Sequence, residues 1–199
     1  MKNTENAFAI LILAAGSSKR MGKAKLLLRY KNETIIEHCV KTAQEVPDSN
    51  VYVVTGAYQE RILASLSNYP DIQYVHNHAH LDGMGSSIAC GVSEIVKFAY
   101  KGILLLLPDQ ILVDSKTLND IIDLHKTNPS SIILSNYGEN SGPPTFFPPS
   151  TFSQLLDLEG DKGAKHIFMK QYPHTFYKFP FGMIDIDKIE DCKEFDISD

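Results

Sequence analysis

Apolar positions along this chain fall into two kinds of run that alternate from end to end. Phe8–Leu13 and Ile103–Leu107 are continuous apolar stretches, the pattern of strands covered on both faces. Val51–Thr55 is a β-branched strand stopped by Gly56, and Ile72–Val75 and Ile132–Ser135 read as further strands. Helical periodicities lie between them. Thr34–Val46 puts Ile35, Ile36, Cys39, Val40 and Ala43 on one face, and Pro47 ends it. Arg61–Leu66, Ser86–Tyr100 and Ser115–Lys126 are also helical, the last followed by Asn128-Pro129. A β-α-β-α-β order predicts an α/β fold: a Rossmann-like, mainly parallel sheet with helices on both faces and ligands at the strands' carboxyl ends. Asn136–Ser150, rich in Gly and Pro, reads as an ordered loop or β-arm over that site. No repeat or linker divides the chain, and 199 residues suit one domain, 1–199.

Composition narrows the partners. A net charge of −5 speaks against nucleic acid, whose footprint would be basic. No apolar run approaches the ~18 residues of a membrane span. The polar opening MKNTENAF has no signal-peptide core. Cys39, Cys90 and Cys192 are odd in number and form no CxxC, which suits a reducing cytoplasm. Cytoplasmic location is the expectation, with Cys39 and Cys90 as buried thiols.

The break after the first strand carries the chemistry. Ala14-Ala15-Gly16-Ser17-Ser18 is a run of small residues through which backbone N–H groups can approach a ligand. Lys19, Arg20, Lys23 and Lys25 follow. Backbone donors and cations together suit a polyphosphate; a turn followed by a solvated basic loop has the same composition. The Walker A pattern fails, since Gly22-Lys23 is followed by Ala24 rather than Ser or Thr, and GxGxxG fails as well. A second constellation is Leu104–Gln110, LLLLPDQ, in which Asp109 follows a buried strand directly. There it can hold Mg²⁺ against triphosphate oxygens, or simply complete a Pro-Asp turn. A third, Leu81–Val92 (LDGMGSSIACGV), sets Gly83 and Gly85 before the hydroxyls Ser86 and Ser87 at a helix start; a well-capped helix needs no more. His76, His78 and His80 alternate upstream, a spacing that would share one face of a strand, with no acidic or Cys partner at a zinc-like spacing.

The string LAAGSSKRMGKAKLLL, Leu13–Leu28, resembles the signature LAAGxSxRMGxxKLLL of the nucleotidyltransferases that modify the molybdenum cofactor, most closely the cytidylyltransferase branch; the guanylyltransferase branch usually has Gly in place of Ala15. Further segments follow in the same order. LPDQ is similar to the family's LxDQP, with Pro108 and Ile111 differing. Gly83, Met84, Ser87 and Gly91 match GMxxSxxxG, and Asn77 matches an Asn after the third strand. LEGDKGAKH, Leu158–His166, is similar to LxGDxGAR, with Lys165 for Arg and a helix expected from near Ala164. IDIDKI, Ile184–Ile189, is similar to DIDTPED, retaining Asp185, Asp187 and Asp191; Asp187 also reads as the cap of a last helix, Lys188–Phe195. Gly142-Pro143-Pro144 stands where the family commonly has GHP, in a loop tied to acceptor choice.

The resemblance implies a GT-A-like nucleotidyltransferase fold. It also implies transfer of CMP from CTP to the phosphate of a molybdopterin-type cofactor, with release of pyrophosphate. Arg20, Lys25 and Asp109 would be catalytic. Leu13, Ala14, Ala15, Gly16, Ser17, Arg20, Lys25, Asn77, Gly83, Met84 and Ser87 would contact the nucleotide. Asp109 and Asp185 would hold Mg²⁺, and a molybdoenzyme or its chaperone would be the downstream partner. Two other functions fit the same residues: transfer to a sugar or polyol phosphate, and non-catalytic binding of nucleotide or cofactor.

Overall fold

A computed structural model describes residues 7–160, 165–186 and 189–198. Its strands and helices run β1 Phe8–Ala14, β2 Arg29–Tyr30, β3 Glu33–Thr34, α1 Ile35–Gln44, β4 Ser49–Thr55, α2 Gln59–Ser65, β5 Ile72–His76, α3 Met84–Ile95, β6 Ile103–Leu106, α4 Ser115–Thr127, β7 Ile132–Tyr137, β8 Asn140–Phe147, α5 Phe152–Leu156, α6 Lys165–Gln171, β9 His174–Lys178 and α7 Ile189–Glu194. The main sheet has the order β5-β4-β1-β6-β8-β7-β9. Only β8 among these strands runs against the rest, so the sheet is mainly parallel as expected. β2 and β3 pair separately as a short hairpin.

Alternation along β1 sorts the core into two layers. Ala9 and Leu11 face Ile88, Val92 and Ile95 of α3, with Phe168 of α6 in the same cluster. Phe8, Ile10, Ile12 and Ala14 face Ile36 and Val40 of α1, Ile62 of α2 and Leu118 and Ile121 of α4. Burying both faces is what the continuous apolar runs require. α1 begins in a capping box, Thr34 Oγ1 accepting from the Glu37 N–H and the Thr34 N–H donating to Glu37. Asp114 caps α4 by accepting from the Thr117 N–H at 2.8 Å; hydrogen bonding from the Thr117 side chain, and less from its backbone, holds the Asp114 carboxyl below the usual range. Gly91 seats α3 on the sheet: a Cβ there would lie 2.5 Å from Leu11 Cδ1 and 2.8 Å from Val54 Cγ2.

The chain moves from β1 out to β4 and β5, then crosses back to β6 on the other side of β1. This reversal opens a crevice at the carboxyl ends of β1 and β6, where open α/β sheets bind ligands. A third apolar cluster of Met21, Leu28, Tyr30, Ile35, Ile111, Ile186, Cys192 and Ile197 fastens the segment after β1 to the C-terminal residues.

Several expectations are corrected. Asn136–Ser150 is not merely a loop or arm: its second half is an inner strand of the sheet, with Phe147, Phe146 and Thr145 opposite Ile103, Leu104 and Leu105. Pro143 and Pro144 sit at a register shift, where Leu134 pairs with Thr145 and Ser135 with Gly142, so neither owes the ladder an N–H. α3 starts earlier, at Met84, and stops at Ile95 rather than Tyr100. Cys39 and Cys90 keep part of their surface exposed, and it is Cys192 that is buried. Burial still pushes the Cys39 thiol up to about 12, with the nearby Asp109 charge adding to it. The expected helix start near Ala164 and the Asp187 cap, like Asp161, lie outside the described residues. No helix among the described residues is long and apolar enough to cross a membrane.

Candidate active site

The loop after β1 turns tightly on itself. Ser18 has φ 48° and Gly22 φ 69°, and the Met21 and Gly22 N–H groups both donate to the Ser18 carbonyl. The Ser18 hydroxyl accepts from the Lys25 N–H at 3.3 Å. Neighbouring elements hold the loop from outside: the Ala57 N–H donates to Ala15 O, and the Tyr58 hydroxyl to Ser17 O. Gly56 makes this approach possible, since a Cβ there would lie 2.6 Å from Ala15 O and 2.7 Å from His80 Cβ. At Gly16 a Cβ would meet no atom within 4 Å, so the backbone there borders open space.

That space is a cleft of about 500 Å³. Of the residues singled out in the sequence, Leu13, Ala15, Gly16, Ser17, Arg20, Lys25, Gly83, Met84, Ser87 and Asp109 line it. Three do not. Ala14 is packed in the core beneath the loop. Asn77 is buried and acts from behind: its Nδ2 donates to the Ser86 and Ser87 hydroxyls at 3.0 Å each, and its Oδ1 accepts from the Ala79 N–H. Asp185 is exposed, next to Ile186, whose N–H donates to Asp109 O at 3.2 Å. The fold therefore brings Asp185 to the end of β6 without making it a cleft wall.

Across the cleft, Lys25 Nζ donates to Asp109 Oδ2 at 2.6 Å, with the two side chains 13% and 18% exposed. The second carboxylate oxygen, Asp109 Oδ1, is buried and has no hydrogen-bond partner among the described residues. A buried carboxylate oxygen left over from an ion pair is a ready ligand for a cation. The start of α3 adds its positive end at Gly83–Ser87. Together the walls offer small-residue backbone, the cations Lys19, Arg20 and Lys25, and one carboxylate, a composition suited to a metal-bound triphosphate.

Sequence reasoning missed His80 and Leu81 as cleft walls. The alternation of histidines was the signal, but it does not make one face. His76 and His78 meet edge to face at 4.3 Å, while His80 Nδ1 turns back to Asn77 O. Among the described residues no group of three or more His, Cys, Asp and Glu is placed to hold a metal. A second cavity, about 140 Å³ and largely apolar, lies under β8 and shares Met84 with the cleft; Tyr137, Pro143, Phe147, Phe168 and Met169 are among its walls.

Residues 10–175 match the family described as the MobA-like NTP transferase domain. The chain belongs to the MobA-like NTP transferase family. The purine catabolism protein PucB of Bacillus subtilis is 32% identical over 163 residues, covering 79% of this chain and 78% of that protein. The crystal structure of Rv0371c from Mycobacterium tuberculosis superposes with a TM-score of 0.82 at 25% identity, covering 96% of this chain and 98% of the other. Rv0371c has also been solved in complex with manganese. The molybdopterin-guanine dinucleotide biosynthesis protein A of Archaeoglobus fulgidus shares the fold, with a TM-score of 0.70 at 12% identity over 94% of this chain and 95% of that one. In this MobA-like NTP transferase the family match spans the loop, the end of β6 and the start of α3, the three elements that wall the cleft.

Proposed function

We propose that this nucleotidyltransferase transfers CMP from CTP to the phosphate of a molybdopterin-type cofactor and releases pyrophosphate. The observation that carries the reading is the Lys25–Asp109 pair at the head of the phosphate loop, with Asp109 Oδ1 buried and without a hydrogen-bond partner among the described residues. An acceptor phosphate oxygen attacks the α-phosphorus of CTP, and the bond from that phosphorus to the β-phosphate bridging oxygen breaks. The acceptor is already nucleophilic, so no covalent enzyme intermediate is needed. Catalysis is positioning and charge stabilisation. Arg20 and Lys25 neutralise the triphosphate. Leu13, Ala15, Gly16, Ser17, Gly83, Met84 and Ser87 enclose the nucleotide, with Asn77 fixing Ser86 and Ser87 from behind.

Magnesium fits the donor set. It binds through one or two carboxylates and completes its shell with phosphate oxygens and water; Asp109 would supply one carboxylate, and Asp185, next to the Ile186 whose N–H donates to Asp109 O, is the proposed second. Bound there, it would neutralise charge on the phosphates during displacement. The apolar cavity beside the cleft supports a flat, ring-bearing acceptor over a polyhydroxylated one. Pro143, standing where His is common in the family, favours a second reading in which the acceptor is another phosphorylated molecule, such as a sugar or polyol phosphate.

The test is magnesium-dependent pyrophosphate release with CTP, GTP, ATP or UTP, using molybdopterin, glucosamine 1-phosphate or methylerythritol phosphate as acceptor. CTP with molybdopterin should turn over fastest. In thermal shift, the preferred nucleotide at 100 times its dissociation constant should add about 2.7 kcal/mol of stability. Faster turnover with GTP would overturn the base assignment. Turnover confined to the sugar or polyol phosphate would overturn the acceptor. Nucleotide binding without any pyrophosphate would mark a binding protein.

A further inference from the structure

We propose that Gln110 is a positioning residue that holds the acceptor half of the site in register with the nucleotide half. The inference rests on the nucleotidyl-transfer reading above. Gln110 is 6% exposed, and its Nε2 donates to two backbone carbonyls, Pro143 O and Gly182 O, at 2.9 Å each. Those carbonyls are 33 and 72 residues away along the chain. The two hydrogens of one amide group are thus divided between two separate segments.

Each segment belongs to the far side of the site. Pro143 lies in β8 and walls the apolar cavity beside the cleft. Gly182 lies in the turn Pro180–Met183, just before Asp185. Residue 109, next to the clamp, is the carboxylate of the nucleotide side, and its carbonyl receives the Ile186 N–H at 3.2 Å. Two consecutive residues at the end of β6 therefore pin the 182–186 segment, one through its backbone and one through its side chain. The pinned segments also meet through Tyr137: a Cβ on Gly182 would collide with its ring, and a Cβ on Gly142 with its hydroxyl. Burial and the Asp185 charge both raise the pKa of that hydroxyl.

Gln110 Oε1 is buried without a hydrogen-bond partner among the described residues. What the Gln110 amide delivers is therefore its two donor bonds, which set the distance between Asp109 and the two carbonyls. In-line displacement needs the attacking oxygen about 3–3.5 Å from phosphorus, and an error of about 1 Å costs on the order of a hundredfold. Loosening the clamp should therefore damage acceptor use and spare the nucleotide.

Gln110→Met has similar length and volume but cannot donate. Three measurements decide the assignment: calorimetry with Mg–CTP, steady-state kinetics with molybdopterin as acceptor, and hydrogen exchange by mass spectrometry. Mg–CTP affinity should stay within about twofold, while kcat/KM for the acceptor falls at least about tenfold. Amide exchange should rise in residues 137–147 and 179–186 and remain unchanged in residues 9–22 and 84–95. Gln110→Asn keeps both hydrogens on a shorter arm and should fall between; it carries the same comparison if the Met variant does not fold. A parallel loss of Mg–CTP affinity would overturn the proposal and make Gln110 a support of the Asp109 turn. Unchanged acceptor kinetics and unchanged exchange would overturn it too. If wild type does not turn over molybdopterin, the acceptor reading fails separately. Exchange and CTP binding then still decide the clamp, which wild-type-like exchange in 137–147 and 179–186 refutes.

Discussion

Asp109 follows the fully buried strand β6, and its carboxylate is divided between a short ion pair and an oxygen with no hydrogen-bond partner among the described residues. Asp109→Asn keeps the shape and one carbonyl oxygen but removes the charge. Transfer should fall by about two orders of magnitude, roughly 3 kcal/mol of barrier, with the melting temperature little changed; near-normal magnesium-dependent turnover would reduce Asp109 to a turn residue. A different titration acts on the fold itself. His125 is 7% exposed and stacked on Phe146, its Nδ1 has no hydrogen-bond partner among the described residues, and burial lowers its pKa from 6.5. The folded chain then binds fewer protons than the unfolded one, so stability is full above the unfolded value near 6.5 and is lost as pH falls below it towards the folded value. His125→Phe should therefore lose less of its melting temperature between pH 7.5 and pH 5.5 than wild type; equal losses would clear His125 of the effect. At this scale the cleft was readable where adjacent residues specify it, as in the run from Leu13 to Lys25. Gln110 could be read only as a polar neighbour of Asp109, because its meaning lies in carbonyls far along the chain.

Among the elements, strands covered on both faces announced themselves by continuous apolar sequence, and β1, β4 and β6 stand where that pattern puts them. β8 did not, because Pro143-Pro144 argues against an inner strand unless a register shift excuses both residues, and a shift is a property of the pair rather than of either strand. β9 was missed for a related reason. HTFYK alternates exposed and half-exposed positions at the sheet's edge and has no run of apolar residues to mark it. The seat of α3 matters most to the site, because this helix carries Met84 and Ser87 to the cleft. Gly91→Val would drive methyl groups into Leu11 and Val54, which are fully buried. Overpacking of this kind costs about 1–3 kcal/mol, more than the roughly 1 kcal/mol gained by removing a helical glycine. Chemical denaturation should show the loss, and a variant as stable as wild type would mean that α3 can ride further from the sheet than its packing implies.

At the scale of the molecule, chain reversal at β1 brings residues from widely separated stretches of sequence to one edge of the sheet. Lys25 and Asp109, 84 residues apart, meet there. Their pairing gives the site a property that neither residue has alone: the cleft supplies its own counter-ion. A nucleotide that draws the ammonium away leaves the carboxylate uncompensated, and a divalent cation that takes the carboxylate releases the ammonium. Each ligand thus removes the other's competitor, and linkage requires the two gains to be equal. CTP should bind roughly 5–150-fold more tightly in magnesium than in EDTA, and magnesium should gain the same factor from CTP. Lys25→Met should weaken CTP binding yet narrow that ratio, since no ammonium remains to be displaced; a ratio unchanged in the variant would show that cation and nucleotide cooperate only through their direct contact. Coupled through the Lys25–Asp109 pair, the protein would meet its two ligands as one, admitting the metal–nucleotide complex and discriminating against either component alone.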